Sequence, residues 1–573
     1  MTFAYPVPPT KQAANSATFI TPPIDGSMSI PQMIDFHLAN NPNHPVFRFA
    51  TSGSSEAPFE EFLWRNVGQA MHRAARLAQA RILGTPSNHT NSTTTPVIAA
   101  FASVELVHFS TFMYGVSRGG YLVHLISPQL SPAVIAHLFL KTDVTHVFVD
   151  ESFRGLVKSV VDELQKAEAA IIPVVLDFPA VDDLFVRDDH QFEALPPIKS
   201  IELDSAAIIL DSSGTTSLPK PIYITHRRLV EWSRVIWHGD RDLCGEVVGM
   251  QSALPFYVWG NFCIISALTG GYICAVRSPF GKPPPMTPER FIGEVAVTQC
   301  TILVSAPPSM LEAWANDPSA LATLSKLKAV VFGGVFLRED VGAALSANAV
   351  PLTPIYGLTE AGCLSTYIPY PAEWDFFEFS SQIPTYLKPV ENQAGLFEVF
   401  LLSSSVWSPQ VLNTEINGKP AYATKDLVAQ HPTNPNKYKI VGRLNDQLVF
   451  ATGMKLNPLA VELQVKASPL VKSALVFGEG RATIGILIEP VGLVDNADPE
   501  ALSAFREAIW KTIDNANETL IIYGHIRIAK EMVLVTSPSK PFLYTDKGSV
   551  KRPLVLKLYA EEIEAAYAAG NLP

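Results

Sequence analysis

The sequence predicts an α/β protein in two parts: a large N-terminal α/β region of several subdomains, then a small C-terminal α+β region. Three observations lead there. Short apolar runs recur from Val97 to Gly334 with helical segments between them, as buried parallel strands and their crossovers require. Beyond Val441 the order changes to strand, strand, helix, strand. The 573 residues are 47% apolar and 17% charged, enough for several cores and unlike a disordered chain.

Residues 1–30, rich in Pro, Thr and Ser, read as an extended arm. Ile30–Asn40 reads as a helix, and PNHPVFRF (42–49) turns into a strand. Glu60–Ala80 has helical spacing with basic residues on one face. PSNHTNSTTT (86–95) is a polar loop. VIAAFA, THVFVD, IIPVVLDF, AAIILD, TILVSA and KAVVFGG each read as a buried strand. After YKIVGRLNDQLVF (438–450) come a helix over NPLAVELQVKAS, strands over VKSALVFG and ATIGILIEP, a helix over Ala501–Leu520 and a strand over EMVLVTS. The boundary falls at Arg443–Asp446, giving regions 1–443 and 444–573.

Composition excludes several classes. The net charge of −11 and the lack of a Lys/Arg run argue against nucleic acid. Five cysteines without a C-x-x-C pair argue against a disulfide scaffold or zinc ribbon. The N-terminus has no basic and apolar signal regions, and no run of 18 apolar residues spans a membrane. A cytoplasmic, monomeric enzyme is expected. Gly115-Val-Ser-Arg-Gly119 matches the hydrolase elbow G-x-S-x-G, but without a strand–turn–helix context it reads as a helix ending in Gly-Gly.

The strongest chemical signal is Asp211-Ser-Ser-Gly-Thr-Thr-Ser-Leu-Pro-Lys220, which follows the run AAIIL. A strand entering such a loop sets backbone N–H groups and hydroxyls around an anion, and Lys220 adds positive charge. The Walker A pattern is absent.

This loop resembles the phosphate loop of the adenylate-forming (ANL) superfamily, with Ser217 where the family has Gly. The resemblance assigns Ser212, Ser213, Gly214, Thr215, Thr216 and Lys220 to ATP phosphates. Further segments follow in the family's order. VVFGGVFL (330–337) resembles the Gly-Gly segment against adenine and substrate, which implicates Phe332, Gly333 and Gly334. IYGLTEAG (355–362) resembles Y-G-x-T-E. The resemblance implies that Tyr356 stacks on adenine beside Gly357, Thr359 touches phosphate, and Glu360 helps hold Mg²⁺. YATKDL (422–427) resembles T-G-D-L with Lys425 in place of Gly, and Asp426 would bind the ribose. GRLNDQLVF resembles the hinge region: Arg443 would contact ribose or phosphate, and Asn445 stands at the hinge position. Gly453, Met454 and Lys455 would face the site in the thioester-forming state. PFLYTDKGSVKRP (541–553) resembles the segment of the catalytic lysine, which is Lys547 or Lys551, with Lys547 favoured.

SALPFYVWGNF (252–262) sits where the family often has P-x-x-H-x-x-G, with Tyr257 in place of His. Phe256, Tyr257, Val258, Trp259 and Asn261, with Phe332 and Gly334, are the expected acid pocket, aromatic enough for a flat ring. No Asp or Glu occurs between Glu246 and Glu289, so an α-ammonium would be buried without a partner. An aryl or keto acid is therefore expected.

The N-terminal text and the K-G-S-V-K-R-P segment resemble adenylation domains of fungal enzymes akin to nonribosomal peptide synthetases, including adenylate-forming carboxylic acid reductases. The implied reaction is ATP-dependent formation of acyl-AMP, then transfer to a phosphopantetheine thiol of a carrier domain, in cis or in trans. No D-S-L attachment serine follows residue 553 and no G-x-G-x-x-G occurs, so the consumer of the adenylate is expected outside this sequence. Two other readings stay open: a stand-alone acyl-CoA ligase, and a non-catalytic nucleotide-binding protein.

Overall fold

The apolar runs form strands in a computed structural model that carries two mostly parallel sheets, one antiparallel sheet and a small C-terminal sheet. It describes residue 5 and residues 7–569, apart from 52–57, 85–94, 104, 187–191, 199, 213–217, 282–283, 305, 335, 371–372, 392, 451–454, 482, 496–497, 521–525 and 546–547, and without the side chains of 455 and 519. The polar loop expected over 86–95 thus lies almost wholly outside the described residues.

The first sheet runs, edge to edge, Val174–Asp177, Val144–Val149, Val97–Phe101, Leu122–Leu125, Ala206–Ser212 and Lys220–Thr225. All pairs are parallel except the last, an antiparallel return. The central strand shows why its run is apolar throughout. Ile98 and Ala100 enter the large core with Phe112, while Val97, Ala99 and Phe101 enter a second core with Phe139 and Val157. Both faces are covered, as parallel sheets require. IIPVVLDF is a correction: Val174–Asp177 is an edge strand, with Val175 exposed.

The second sheet runs Leu352–Ile355, Ala329–Gly333, Ile302–Leu303, Val247–Gly249, Ile273–Val276, Pro45–Ala50 and Phe59–Leu63. Only the last pair is antiparallel. Here Glu60–Ala80 departs from expectation. Phe59–Leu63 pairs with Pro45–Ala50, held by Arg48–Glu61 at 2.7 Å and by Phe62 stacked on Phe185, and the helix is Trp64–Leu83. Asn66 starts that helix by accepting from the Leu63 N–H at 2.9 Å. Trp232 of helix His226–Arg234 and Phe262 of helix Val258–Gly270 share one apolar core with Ile208 of the first sheet and Phe47 and Val276 of the second.

Helix Leu106–Arg118 ends at the Gly119-Gly120 pair as expected, with Gly119 as its C-cap and Gly115 within its last turn. A Cβ at Gly115 would lie 2.5 Å from both Ala74 Cβ and Met71 O, so the glycine serves close helix packing. The antiparallel sheet (Phe377–Glu378, Lys437–Arg443, Lys419–Gln430, Leu396–Leu402, Thr385–Pro389) lies between these parts in sequence and brings motif residues together.

The C-terminal elements follow the expected order: helix Leu459–Val465, strands Val471–Phe477 and Ile484–Pro490, helix Pro499–Leu520 and strand Ile528–Val535. Their two cores draw only on residues from Leu448 onward. Among the described residues no helix is long and apolar enough to cross a membrane.

Candidate active site

Three distant segments meet at Asp426. Strands Lys419–Gln430 and Lys437–Arg443 pair so that Asp426 lies opposite Arg443, and Arg443 Nε donates to Asp426 Oδ1 at 2.9 Å. The Tyr356 hydroxyl donates to Oδ2 at 2.7 Å, and the Asp426 N–H donates to Thr424 Oγ1 at 3.0 Å. Burial pushes the Asp426 carboxyl upward, against the pull of Arg443 and Tyr356. Burial also raises Tyr356 well above the usual phenol range, so its hydroxyl stays a donor. The Tyr356 ring is buried against Phe377 and Phe379.

Lys425 stands at φ +65°, the left-handed region that favours glycine. Its Nζ reaches Glu398 Oε1 at 3.0 Å, and that carboxylate is otherwise buried. The substitution noted in the T-G-D-L segment therefore keeps the glycine conformation and adds an ion pair. Lys425→Gly should leave stability within about 1 kcal/mol of wild type, because strain relief offsets the lost ion pair. Lys425→Val should cost about 2 kcal/mol or more, since a β-branched residue does not tolerate this region. Urea unfolding of both variants measures the difference.

Gly357–Leu358 pairs with Gly362–Cys363, and the turn between them carries buried Thr359 and half-buried Glu360. Glu360 C=O accepts from the Gln410 N–H at 2.7 Å, and its side chain hydrogen-bonds Tyr422. Burial, with Glu360 beside it, raises the Tyr422 phenol. Gly333 ends its strand where a Cβ would lie 2.5 Å from Ile355 O, and Gly334 follows at φ +76°. Both glycines are exposed beside the Tyr356 segment.

Ser212 and Lys220 lie opposite each other at the root of the phosphate loop, and Ser212 Oγ donates to Lys220 O at 3.4 Å. Lys220 is exposed. Ser213, Gly214, Thr215, Thr216 and Ser217 lie outside the described residues, as do Gly453, Met454 and Lys547. Lys455 opens a two-residue strand opposite Val449. Asn445 is exposed in the 3₁₀ turn Leu444–Asp446. Lys551 stands just before helix Arg552–Leu558, with its N–H donating to Leu543 O at 2.8 Å.

The expected acid pocket divides. Phe256 and Tyr257, edge to face at 4.8 Å, line a cavity of about 30 Å³ with Ser127, Leu130, Asp211 and Ser212. Val258 and Trp259 are half-buried, Trp259 stacked on Phe262. The other two side chains are engaged elsewhere in the fold. Phe332 is 7% exposed and packs in a core with Leu352, and Asn261 is spent on accepting from Tyr114 Oη and donating to Pro255 O and Tyr257 O.

One residue without an assigned role joins the cavity. Asp211 Oδ1 lies 3.0 Å from His124 Nε2, and His124 Nδ1 lies 3.0 Å from Thr142 Oγ1. Segment 247–288 lacks an acid, but strand Ala206–Ser212 brings one to the same wall. Its position ahead of the hydroxyl-rich loop was the available signal. The partner, His124, is 87 residues away and invisible to local reading.

Among the described residues, the motif segments thus supply a buried carboxylate held by an arginine and a tyrosine, an exposed Gly-Gly edge beside the Tyr356 segment, and an aromatic cavity at the end of strand Ala206–Ser212. The chain belongs to the AMP-binding enzyme family: its family model matches residues 93–391, and that of the AMP-binding enzyme C-terminal domain matches 445–571. Within this family of adenylate-forming enzymes, the chain is similar to adenylate-forming reductase Nps10 of Heterobasidion annosum, 36% identical over 98% of this chain and 52% of that protein. The carboxylic acid reductase of Neurospora crassa is 25% identical over 82% of this chain and 44% of its own length. The chain thus spans about half the length of the curated relatives it matches. The A domain of carboxylic acid reductase from Segniliparus rugosus, in complex with AMP and a co-purified carboxylic acid, matches with a TM-score of 0.67 at 16% identity, covering 95% of each chain. That likeness establishes the fold: a large α/β domain followed by a C-terminal domain.

Proposed function

We propose that this chain activates a carboxylic acid lacking an α-amine, aryl or keto, by adenylation with ATP, and passes the acyl group to a carrier-bound phosphopantetheine thiol. The observation that carries the reading is the Tyr356–Asp426–Arg443 cluster, which joins three motif segments and holds one carboxylate ionisable beside the exposed Gly333–Gly334 edge.

In the first step a carboxylate oxygen attacks the α-phosphorus in line, the bond from that phosphorus to the β-bridging oxygen breaks, and pyrophosphate leaves. Asp426 accepts from the ribose hydroxyls, Arg443 steadies that carboxylate, and Ser212 and Lys220 help hold the leaving phosphates. Glu360 suits Mg²⁺: it is a hard oxygen donor, half-open in its turn, and magnesium needs one or two carboxylates besides phosphate and water. Bound there, the ion would neutralise charge on the phosphates. Lys547 stabilises the charge that develops at the reacting oxygens. In the second step the thiol sulfur attacks the acyl carbon, its proton goes to solvent, and AMP leaves. Between the steps, region 444–573 turns about Asn445 relative to region 1–443, exchanging Lys547 for the Gly453–Lys455 face.

The test is acid-dependent pyrophosphate release with ATP and Mg²⁺ across benzoic, cinnamic, arylpyruvic, fatty and amino acids. Release with an aryl or keto acid and not with amino acids is expected. Release with an amino acid would sink the pocket reading, and silence with all of them would sink the adenylation reading. Adding a carrier domain or free coenzyme A then identifies the acceptor.

A further inference from the structure

The boundary between the two regions carries a contact that the proposed chemistry does not use. Strand Lys437–Arg443 ends just ahead of the hinge position, and it carries a bulge. Leu427 lies opposite Gly442 and Val428 opposite Ile440, so Val441 is the extra residue, with no residue of its own across the ladder. Its carbonyl accepts from Asn457 Nδ2. Gly442 makes room for that amide. It is buried, and a Cβ there would lie 2.8 Å from Asn457 Nδ2 and 2.9 Å from Oδ1. Its φ of +154° suits glycine as well.

The two sides of this contact belong to different bodies. Leu427, opposite Gly442, is fully buried in the large region. Leu456 and Val461, on either side of Asn457, pack in the C-terminal core with Ile486 and Val533. Asn445 stands between the two sides, exposed in its 3₁₀ turn. A turn about Asn445 therefore carries Asn457 away from Val441 and Gly442. The contact is a neutral amide on a carbonyl, and water takes up both groups once they part. A net hydrogen bond of this kind biases an equilibrium by about two- to ten-fold, enough to favour one orientation and too little to trap it.

We infer that Asn457, seated on the Val441 bulge and against Gly442, is a latch that holds the two regions in the orientation of this structure and opens when region 444–573 turns. The inference rests on the turning proposed above and adds the residues that set its balance.

Asn457→Asp tests it with the local fold kept. The Leu459 N–H donates to Asn457 Oδ1 at 3.2 Å, and an aspartate oxygen keeps that bond at the start of helix Leu459–Val465. What is lost is the Nδ2 donor, replaced by an oxygen that faces the Val441 carbonyl. Fluorophores attached through an unnatural amino acid at Lys388 and Ser503, exposed positions of the two regions, report the orientation by single-molecule energy transfer in the whole chain. The measurement is made without nucleotide, with ATP and Mg²⁺, and with AMP. Wild type should show two populations. In Asn457→Asp the ratio of the population at the distance of this structure to the turned one should fall about five-fold or more. Gly442→Ala, which intrudes on the amide from the other body, should move the ratio the same way, and it decides alone if Asn457→Asp does not fold. An unchanged ratio in Asn457→Asp, or an opposite shift in Gly442→Ala, would overturn the inference and leave the turning standing. A single orientation of the wild type under all three conditions would instead fell the turning about Asn445, and this inference with it.

Discussion

Lys547→Ala should slow acyl-AMP formation about a hundred- to a thousand-fold, while Lys551→Ala stays within a few-fold of wild type. The choice of Lys547 comes from the resemblance of its segment, and the described residues on either side show how Lys551 is held. Thr545 N–H donates to Ser549 O at 2.7 Å, Gly548 N–H to Thr545 O at 2.9 Å, and Lys551 N–H to Leu543 O at 2.8 Å. Residues 543–545 thus lie against 549–551, with Gly548 at φ +81°. Tyr544 anchors the outgoing arm through its hydroxyl to Glu489 and Ser473, and Arg552 anchors the return through Glu462 and Val476 O. Lys551 stands at the foot of the return, tied by its backbone to the C-terminal domain. Lys547 lies outside the described residues, and its assignment rests on the resemblance of the T-D-K-G-S segment to the family's lysine segment. Single-turnover pyrophosphate release measures the effect. Thioester formation from supplied acyl-AMP should survive in Lys547→Ala, because the lysine is needed only while pyrophosphate departs. Loss of release in Lys551→Ala with retention in Lys547→Ala would reverse the assignment.

The sequence was legible wherever one local rule governed. Ile30–Asn40 matches its helix end to end, because Ser29 and Gln32 cap it and Pro31 sits in its first turn. Buried parallel strands announced themselves because both faces need apolar residues. Glu60–Leu63 was lost to the helix beside it because its strand character comes from pairing with Pro45–Ala50. The motif residues were legible as an ordered set, but their arrangement was not. Nothing local says that Asp426 lies opposite Arg443, that Phe332 turns into a core, or that His124 crosses to Asp211. Lys425 lies between these cases: the family's glycine flagged the position, and only the structure supplies the Glu398 partner that makes a lysine tolerable there.

Asp426→Asn should raise the KM for ATP about ten-fold or more while leaving the protein folded, and it should remove an acid-side pH dependence. The carboxylate now serves two donors, Arg443 Nε on one oxygen and the Tyr356 hydroxyl on the other. In the asparagine variant the amide oxygen keeps Arg443, and the tyrosine hydroxyl can rotate to accept from the NH₂. The cluster therefore stays closed, whereas Asp426→Ala would leave the buried Tyr356 hydroxyl without its acceptor. What asparagine loses is the negative charge that strengthens hydrogen bonds from the ribose, each worth about 1.5–3 kcal/mol. The pH argument follows from burial. Only the ionised carboxylate has both oxygens free to accept, and burial pushes Asp426 upward, so protonation sets in at higher pH than for an exposed carboxylate. As pH falls through that raised value, the KM for ATP of the wild type should climb, while that of Asp426→Asn, already high, should stay flat. Nucleotide affinity measured by calorimetry from pH 8 downward reads both curves. A parallel rise in the two proteins would assign the acid sensitivity to another group and remove Asp426 from ribose recognition.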